Sequence, residues 1–397
     1  MSFKSFLPTQ YLAPIVCVLM PFLLASKCTS KSETSHQIRC AFDIGSGATK
    51  LKVAEVNRDI QTQKIILESK TDTDGYVRAN AYAASFDEST GEFAKNVKET
   101  GIAAVQAMIA QAKADLKKMG KKTELKCIAV GSAIFRRALA KNPNATQQFL
   151  DRFENTTKVK IHIVDQREEA LLGFYGAVFS LSKDKTIDPS NILMWDIGAT
   201  SMQFSGRGQS NKKYLYFGGK QASEPTFQLA LKLRGLPADT SSPNPIGPKV
   251  RSLMEKELTK IADEVPASIR TKLAKPETLV IGVGPLHRYS IFGQAGQGDS
   301  GIYTKQGVEN AIAARISLGD SSIIELTKFG KVLTKKERAA LDGETIKKLT
   351  KKSKYARTDV GNLILVHAYM KNLGIDKVRT VKANLTEGAL IKPKYWN

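Results

Sequence analysis

Apolar positions along this chain switch between a two-residue and a helical period, and the whole pattern starts over at mid-chain. Residues 38–44 and 49–56 carry the short apolar runs of strands, with 65–69 as a third candidate. Helical spacing follows over 97–119, where Ile102, Val105, Met108, Ile109, Ala112 and Leu116 recur at steps of three and four. A buried strand over 125–130 leads into Gly131-Ser132-Ala133 and a helix carrying Arg136 and Arg137. A helix over 144–155, a strand over 161–164 and a helix over 167–181 complete this series. Strands are predicted again over 191–196, 201–205 and 213–217, then helices around 227–233 and 249–262 and a strand over 278–282. Helices occupy much of 305–373 before a last strand over 377–381, and the Pro- and Ser-rich 237–248 reads as a surface loop. Strands first and helices after, twice over, predict an α/β protein with a duplicated core, divided near 165–170.

The same tripeptide ends the first strand of each half: Asp43-Ile44-Gly45 and Asp196-Ile197-Gly198. Small or hydroxylated residues follow, Ser46-Gly47-Ala48-Thr49 and Ala199-Thr200-Ser201, and then a returning strand. Glycine turns let backbone N–H groups approach phosphate oxygens, hydroxyls add donors, and an aspartate can hold a divalent cation or its water. Two such hairpins predict two half-domains facing one phosphate-bearing ligand.

Charge strengthens that expectation. The 397 residues carry 60 Lys and Arg against 38 acids, a net charge of +22, on an otherwise ordinary background of 42% hydrophobic residues. Such an excess favours an anionic partner: nucleic acid, anionic lipid or a polyphosphate. Residues 331–357 hold ten basic residues against Glu337, Asp342 and Glu344, readable as a track for a polyanion or as a solvated helical face. No aromatic interleaving marks a single-strand nucleic-acid platform, and sequence-specific nucleic-acid binding is not expected.

Lys4 precedes an apolar stretch over 11–25 that is short for a membrane span and suits the h-region of a signal peptide. Residues 1–30 are therefore expected to direct export, to the periplasm or as a membrane anchor, with a cytoplasmic protein as the alternative. The four cysteines form no framework, and Cys40 and Cys127, in apolar strand-like runs, read as small core residues.

Six segments then fall in the order of a known family. Residues 43–50, 131–138, 163–170, 196–204, 278–284 and 384–390 together resemble the exopolyphosphatase/guanosine pentaphosphate phosphatase (Ppx/GppA) family, within the actin-like ATPase fold, over most of 38–397. The resemblance implies two duplicated actin-like ATPase (ribonuclease H-like) α/β domains, 38–167 and 168–397, with an interdomain active-site cleft. It implies Glu169 as general base, with Glu168 as the alternative, and Arg136 as the phosphate-binding arginine. Asp43 and Asp196 would flank Mg2+ (or Mn2+), while Gly45, Ser46, Gly47, Lys50, Gly198, Ala199, Thr200, Ser201, Gly282 and Gly284 would meet phosphates. Gln203 stands where the family carries a carboxylate, and His287 reads as structural. The implied activity is removal of the terminal phosphate from inorganic polyphosphate or guanosine pentaphosphate. A nucleoside di- or triphosphate phosphohydrolase and a non-catalytic polyphosphate- or nucleotide-binding protein are the alternatives. Expected partners are a polyanionic phosphate substrate, a membrane at the N-terminus and a second copy of the chain.

Overall fold

The computed structural model describes residues 36–57, 62–68, 75–181, 186–198, 201–208, 213–240, 242–284, 286–296, 301–318, 327–328, 331–332 and 358–396. The expectations for residues 1–30 and, apart from residues 331 and 332, for the basic run over 331–357 lie outside the described residues, as do Ala199 and Thr200.

Two sheets repeat one topology. In the first, β1 (His36–Ile44) pairs antiparallel with β2 (Ala48–Asn57), which pairs with β3 (Thr62–Leu67) and the short β4 (Val77–Ala79). On its other side β1 runs parallel to β7 (Lys126–Gly131), and β7 to β8 (Lys160–Ile163); the small hairpin β5 (Phe86–Asp87) and β6 (Glu92–Phe93) stands apart. In the second sheet β9 (Ile192–Ile197), β10 (Met202–Arg207) and β11 (Tyr214–Gly219) form the antiparallel side. Parallel to β9 run β12 (Leu279–Val283) and then β16 (Lys377–Thr380), with β13 (Ile302–Thr304) closing the edge. A minor hairpin, β14 (Thr327–Lys328) and β15 (Lys331–Val332), lies outside both sheets. Each central strand thus has an antiparallel neighbour on one side and a parallel one on the other. Crevices beyond the carboxyl ends of such strands are where α/β sheets bind ligands, and there both Asp-Ile-Gly motifs end.

Helices cover the outer faces. The first sheet buries Phe42, Ile44, Leu51 and Val53 against α1 (Lys95–Lys118), α2 (Ala133–Lys141) and α3 (Pro143–Thr157). In α1 the residues that pack are the apolar set read from the sequence, except that Ile109 lies at its edge. The second sheet is covered by α5 (Ser223–Leu233), α6 (Pro248–Ala262), α7 (Ala267–Leu273), α8 (Phe292–Ala295), α9 (Lys305–Leu318) and α10 (Asp359–Leu373).

The inner faces meet through two helices. One is α4 (Gln166–Leu181), whose Leu172 packs with Ala41, Val56 and Val130 of the first sheet, while Phe174 and Ala177 pack with Met194 and Ile281 of the second. The other is α11 (Leu385–Ile391), at the end of the chain. Sequence order groups 385–396 with the second half, yet Ala389, Leu390, Tyr395 and Trp396 pack on the first sheet. The helices cross backbone to backbone, since a Cβ at Gly388 would lie 2.3 Å from Leu172 O and one at Gly176 would lie 2.6 Å from Asn384 O.

One sequence expectation is corrected. Cys40 and Cys127 are not separate core thiols but a disulfide, with Cα atoms 4.5 Å apart. The β1–β7 register sets these residues directly opposite each other, a relation hidden by their separation of 87 residues. Among the described residues no helix is long and apolar enough to cross a membrane.

Candidate active site

Strand alternation decides which way the key side chains point. On β1, Arg39, Ala41 and Asp43 share the inner face, and Phe42 and Ile44 the outer. Asp43 lies opposite Lys50 in the β1–β2 register, and Asp196 lies opposite Gln203 in the β9–β10 register. Lys50 and Gln203 are therefore positional counterparts in the two halves.

The two turns repeat as well. Gly45 N–H donates to Ala48 O at 2.9 Å, and Gly198 N–H donates to Ser201 O at the same distance. Each closes a tight loop beyond its aspartate. In the first loop the carbonyls are turned away: Gly45 O accepts from Asn80 Nδ2, Ser46 O from Ala83 N–H and Gly47 O from Asn80 N–H, at 3.0–3.1 Å. No described residue accepts from the N–H of Ser46 or Gly47, both of which are exposed. The loop offers donors outward and acceptors inward, the polarity an anion requires. In the second loop Gly198 O accepts from Ser223 N–H at 3.4 Å, tying it to the start of α5.

Between the aspartates stands α4. Asp165 Oδ1 accepts from Glu168 N–H at 2.7 Å and fixes the helix start. The adjacent glutamates then diverge. Glu168 is held by Lys392, at 2.6 Å from either carboxylate oxygen, by Tyr395 Oη at 2.7 Å and by Lys394 at 2.9 Å. It is engaged by residues 392–395 of the C-terminal segment. Glu169 turns instead toward Asp43 and Asp196, with which it interacts electrostatically, and accepts from Arg136 Nη1 at 2.7 Å through Oε2 alone. The same Nη1 donates to Val164 O at 2.8 Å. Glu169 Oε1 and the remaining guanidinium donors of Arg136 have no partner among the described residues. Arg137 points elsewhere, pairing with Glu88 over the Phe86 ring.

The carboxylates act on one another. Burial pushes the Glu169 pKa up, the charge and hydrogen bond of Arg136 oppose this, and Asp43 adds to the rise. Burial raises that of Asp196 to about 7, helped by the charges of Glu169 and Asp43 and opposed by Lys50. Lys50 donates to Asp43 Oδ2 at 3.4 Å; that carboxylate raises its pKa against burial, with smaller help from Glu387 and Asp196. Asp43, Lys50, Arg136, Glu169 and Asp196 thus form one electrostatic unit.

Gly284 belongs to this unit and Gly282 does not. Gly284 has φ +91°, and a Cβ there would fall 2.7 Å from Asp196 Oδ1. Gly282, expected to meet phosphate, faces the core: its Cβ would strike His287 and Val378. His287 itself is buried, its pKa pushed down to about 3 by that burial, with Nδ1 2.7 Å from Tyr303 Oη.

Sequence reasoning missed three supports. Asn80 latches the first loop and also donates to Thr49 Oγ1 at 3.1 Å. Lys52, on the same strand face as Lys50, forms a buried ion pair with Glu387 and reaches Glu68 at 2.9 Å. Glu387 in turn closes a capping box, accepting from Asn384 N–H at 3.1 Å. The spacing Asn384-x-x-Glu387 is a readable signal for that box, and Lys50-x-Lys52 for two cations on one face.

Neither a protein-family model nor a curated protein matches this sequence. Solved structures do match in shape. The Aquifex aeolicus PPX-GPPA enzyme superposes with a TM-score of 0.62 at 14% identity, over 89% of this chain and 99% of that one. The type II variant of the Aquifex aeolicus Ppx/GppA phosphatase gives 0.60 at 13% identity, over 89% and 98%. An exopolyphosphatase from Cytophaga hutchinsonii gives 0.52 at 15% identity, over 89% and 96%. The chain has the fold of these structures, two duplicated actin-like domains with the described side chains at their junction.

Proposed function

We propose that this chain is a phosphoanhydride hydrolase that removes the terminal phosphate of inorganic polyphosphate or guanosine pentaphosphate in a reaction that depends on a divalent cation. The observation that carries this reading is Glu169, held by one oxygen on Arg136 and open at the other, between two aspartates that end matched glycine turns. The shared fold supports it.

The donor set suits Mg2+ or Mn2+. Asp43 and Asp196 supply hard oxygen ligands, and the pKa of Asp196 is raised first by burial and then by the charges of Glu169 and Asp43, which a cation would offset. Gln203 Oε1, paired in register with Asp196, is buried without a partner and can accept from a water on the ion. Bound between the aspartates, the ion would neutralise phosphate oxygens and the charge that develops on them.

The chain's own groups do the rest. Ser46, Gly47 and Ser201 present donors to phosphate oxygens, and the spare N–H groups of Arg136 clamp the terminal group. Glu169 Oε1 takes a proton from the attacking water as its oxygen bonds to the terminal phosphorus. The bond from that phosphorus to the bridging oxygen breaks, and the bridging oxygen leaves with the shortened chain. Burial keeps Glu169 basic enough for this despite its arginine partner.

We also place the protein outside the reducing cytoplasm. The Cys40–Cys127 disulfide supports this, because such bonds persist in oxidising compartments.

Phosphate release from long-chain polyphosphate, guanosine pentaphosphate and ATP, each with and without Mg2+, tests the reading. Release from either of the first two that stops on chelation is expected. Binding without release, at every metal tried, would favour a binding protein instead.

A further inference from the structure

The second sheet carries a side-chain cluster that has no part in the hydrolytic scheme above. Glu255 on α6, Glu309 on α9 and His367 on α10 bring two carboxylates and an imidazole together, one ligand atom of each within 4.8 Å of the others. Their helices pack on the face of the sheet opposite α4, the helix that bears Glu169. We propose that this cluster is a second, structural metal site that takes Zn2+ and ties the three helices together, an inference independent of the hydrolase reading.

His367 carries the argument. Every residue of α10 from Asp359 to Met370 is buried, and His367 is only 8% exposed. Its ring lies between the two carboxylates, with Nδ1 3.4 Å from Glu255 Oε1 and Nε2 3.2 Å from Glu309 Oε2. Nδ1 is buried and makes no hydrogen bond. A neutral imidazole has one N–H and one lone pair, so one ring nitrogen turns its lone pair on a carboxylate oxygen. A proton or a metal ion relieves that repulsion. Burial disfavours the proton, lowering the pKa of the imidazole although Glu309 and Glu255 oppose it.

Arg251, one turn before Glu255 on α6, supports the site without filling it. Its Nε donates to Glu255 Oε1 at 2.8 Å, and its Nη2 pairs with Glu309 Oε2. One guanidinium against two carboxylates leaves the cluster short of positive charge. Hydrogen bonds of this kind orient the ligating carboxylates of metal sites. The donor set chooses the ion: imidazole with carboxylate suits Zn2+, whereas Mg2+ and Ca2+ prefer oxygen alone. Ligand atoms around a tetrahedral Zn2+ stand about 3.3–3.5 Å apart, and His367 Nδ1 and Glu255 Oε1 already have that separation. Glu309, with a side chain 35% exposed, is the most open of the three and gives the ion a way in.

The test uses the full chain, stripped with a chelator and then held in excess Mg2+ to occupy the cleft. Zn2+ is titrated by calorimetry and Tm is followed, with Co2+ as a visible-absorbing substitute. The wild type should bind one equivalent of Zn2+, gain Tm on binding it, and develop a Co2+ absorption band. His367→Gln and Glu309→Gln should each weaken Zn2+ binding by about 100-fold or more, since even the partners behind a ligand are worth about 10–100-fold. Asp196→Asn, in the cleft, should keep the Zn2+ equivalent. Should His367→Gln fail to fold, the more exposed Glu309→Gln decides alone. No Zn2+ bound in excess Mg2+, equal binding by wild type and Glu309→Gln, or loss of the equivalent only in Asp196→Asn would overturn the proposal. So would a wild-type Tm that responds to pH at this cluster and not to Zn2+, which would make His367 a proton site.

Discussion

Arg136 Nη1 lies 2.7 Å from Glu169 Oε2 and 2.8 Å from Val164 O, so one guanidinium nitrogen on α2 holds both the Glu169 carboxylate of α4 and the backbone just after β8. In the proposed mechanism the rest of the fork is left for substrate. Arg136→Lys keeps the charge and loses the fork. We expect kcat to fall by about 10²-fold or more, a loss of the order seen when one preorganised donor to a developing oxyanion is removed. The acid limb of the kcat profile should also move, since lysine cannot reproduce the geometry that depresses Glu169 against burial. An unchanged acid limb with lowered kcat would assign Arg136 to phosphate alone.

The Lys52–Glu387 pair carries no chemistry in this account and should behave as a structural pin. Both residues are buried, and Glu387 also caps the helix that joins the chain's end to the first sheet. Breaking one partner of a buried pair costs about 3–5 kcal/mol. Lys52→Met alone should therefore lower stability sharply in denaturant melts, and Lys52→Met/Glu387→Gln should recover much of the loss. If the double variant were no better than the single, Lys52 would be held by Glu68 rather than by Glu387.

Much of this architecture was readable from residues, and the unreadable parts share a cause. The helix Lys95–Lys118 and the hairpins at Asp43 and Asp196 follow from local periodicity and turn chemistry. Arg136, Glu169 and Gly284 came from ordered landmarks, and the structure brings them together at the strand ends. Gly282, two residues before Gly284, has Val378 and His287 where a Cβ would stand, neighbours that the sequence motif does not reveal. The Cys40–Cys127 bond, the Asn80 latch and the return of 385–396 to the first sheet all depend on register or on tertiary packing between distant segments. No window of sequence contains both partners of any of them.

Gly388 offers a test in which local and tertiary expectations have opposite signs. In an open helix Gly→Ala stabilises by about 1 kcal/mol. Here a Cβ would lie 2.3 Å from Leu172 O, and overpacking of this kind costs about 1–3 kcal/mol. Gly388→Ala should lower Tm and, by separating α4 from α11, should also lower activity. A rise in Tm would mean that the crossing is looser than described.

Asp196 links function to pH. Its folded pKa, about 7, lies above the ordinary value of 3.8, so the folded protein binds the extra proton. The stability this carboxyl contributes is fully present below about pH 4 and is lost as pH rises through about 7. Metal-free wild type should therefore lose Tm between these limits, and Asp196→Asn should flatten the profile. At pH 8 Mg2+ should restore Tm to the wild type and not to the variant, because the ion supplies the missing positive charge. A pH profile identical in the two proteins would remove Asp196 from the metal site.

The central claim is that Glu169 drives water onto a terminal phosphorus. Orthophosphate release from long-chain polyphosphate with Mg2+, measured beside binding of the same polymer, tests it most directly in wild type and Glu169→Gln. The account predicts turnover by the wild type and a fall of about 10²–10⁴-fold in kcat for the variant, with polymer binding nearly unchanged. A variant that turns over at the wild-type rate, or a wild type that binds the chain and releases no phosphate, would contradict it.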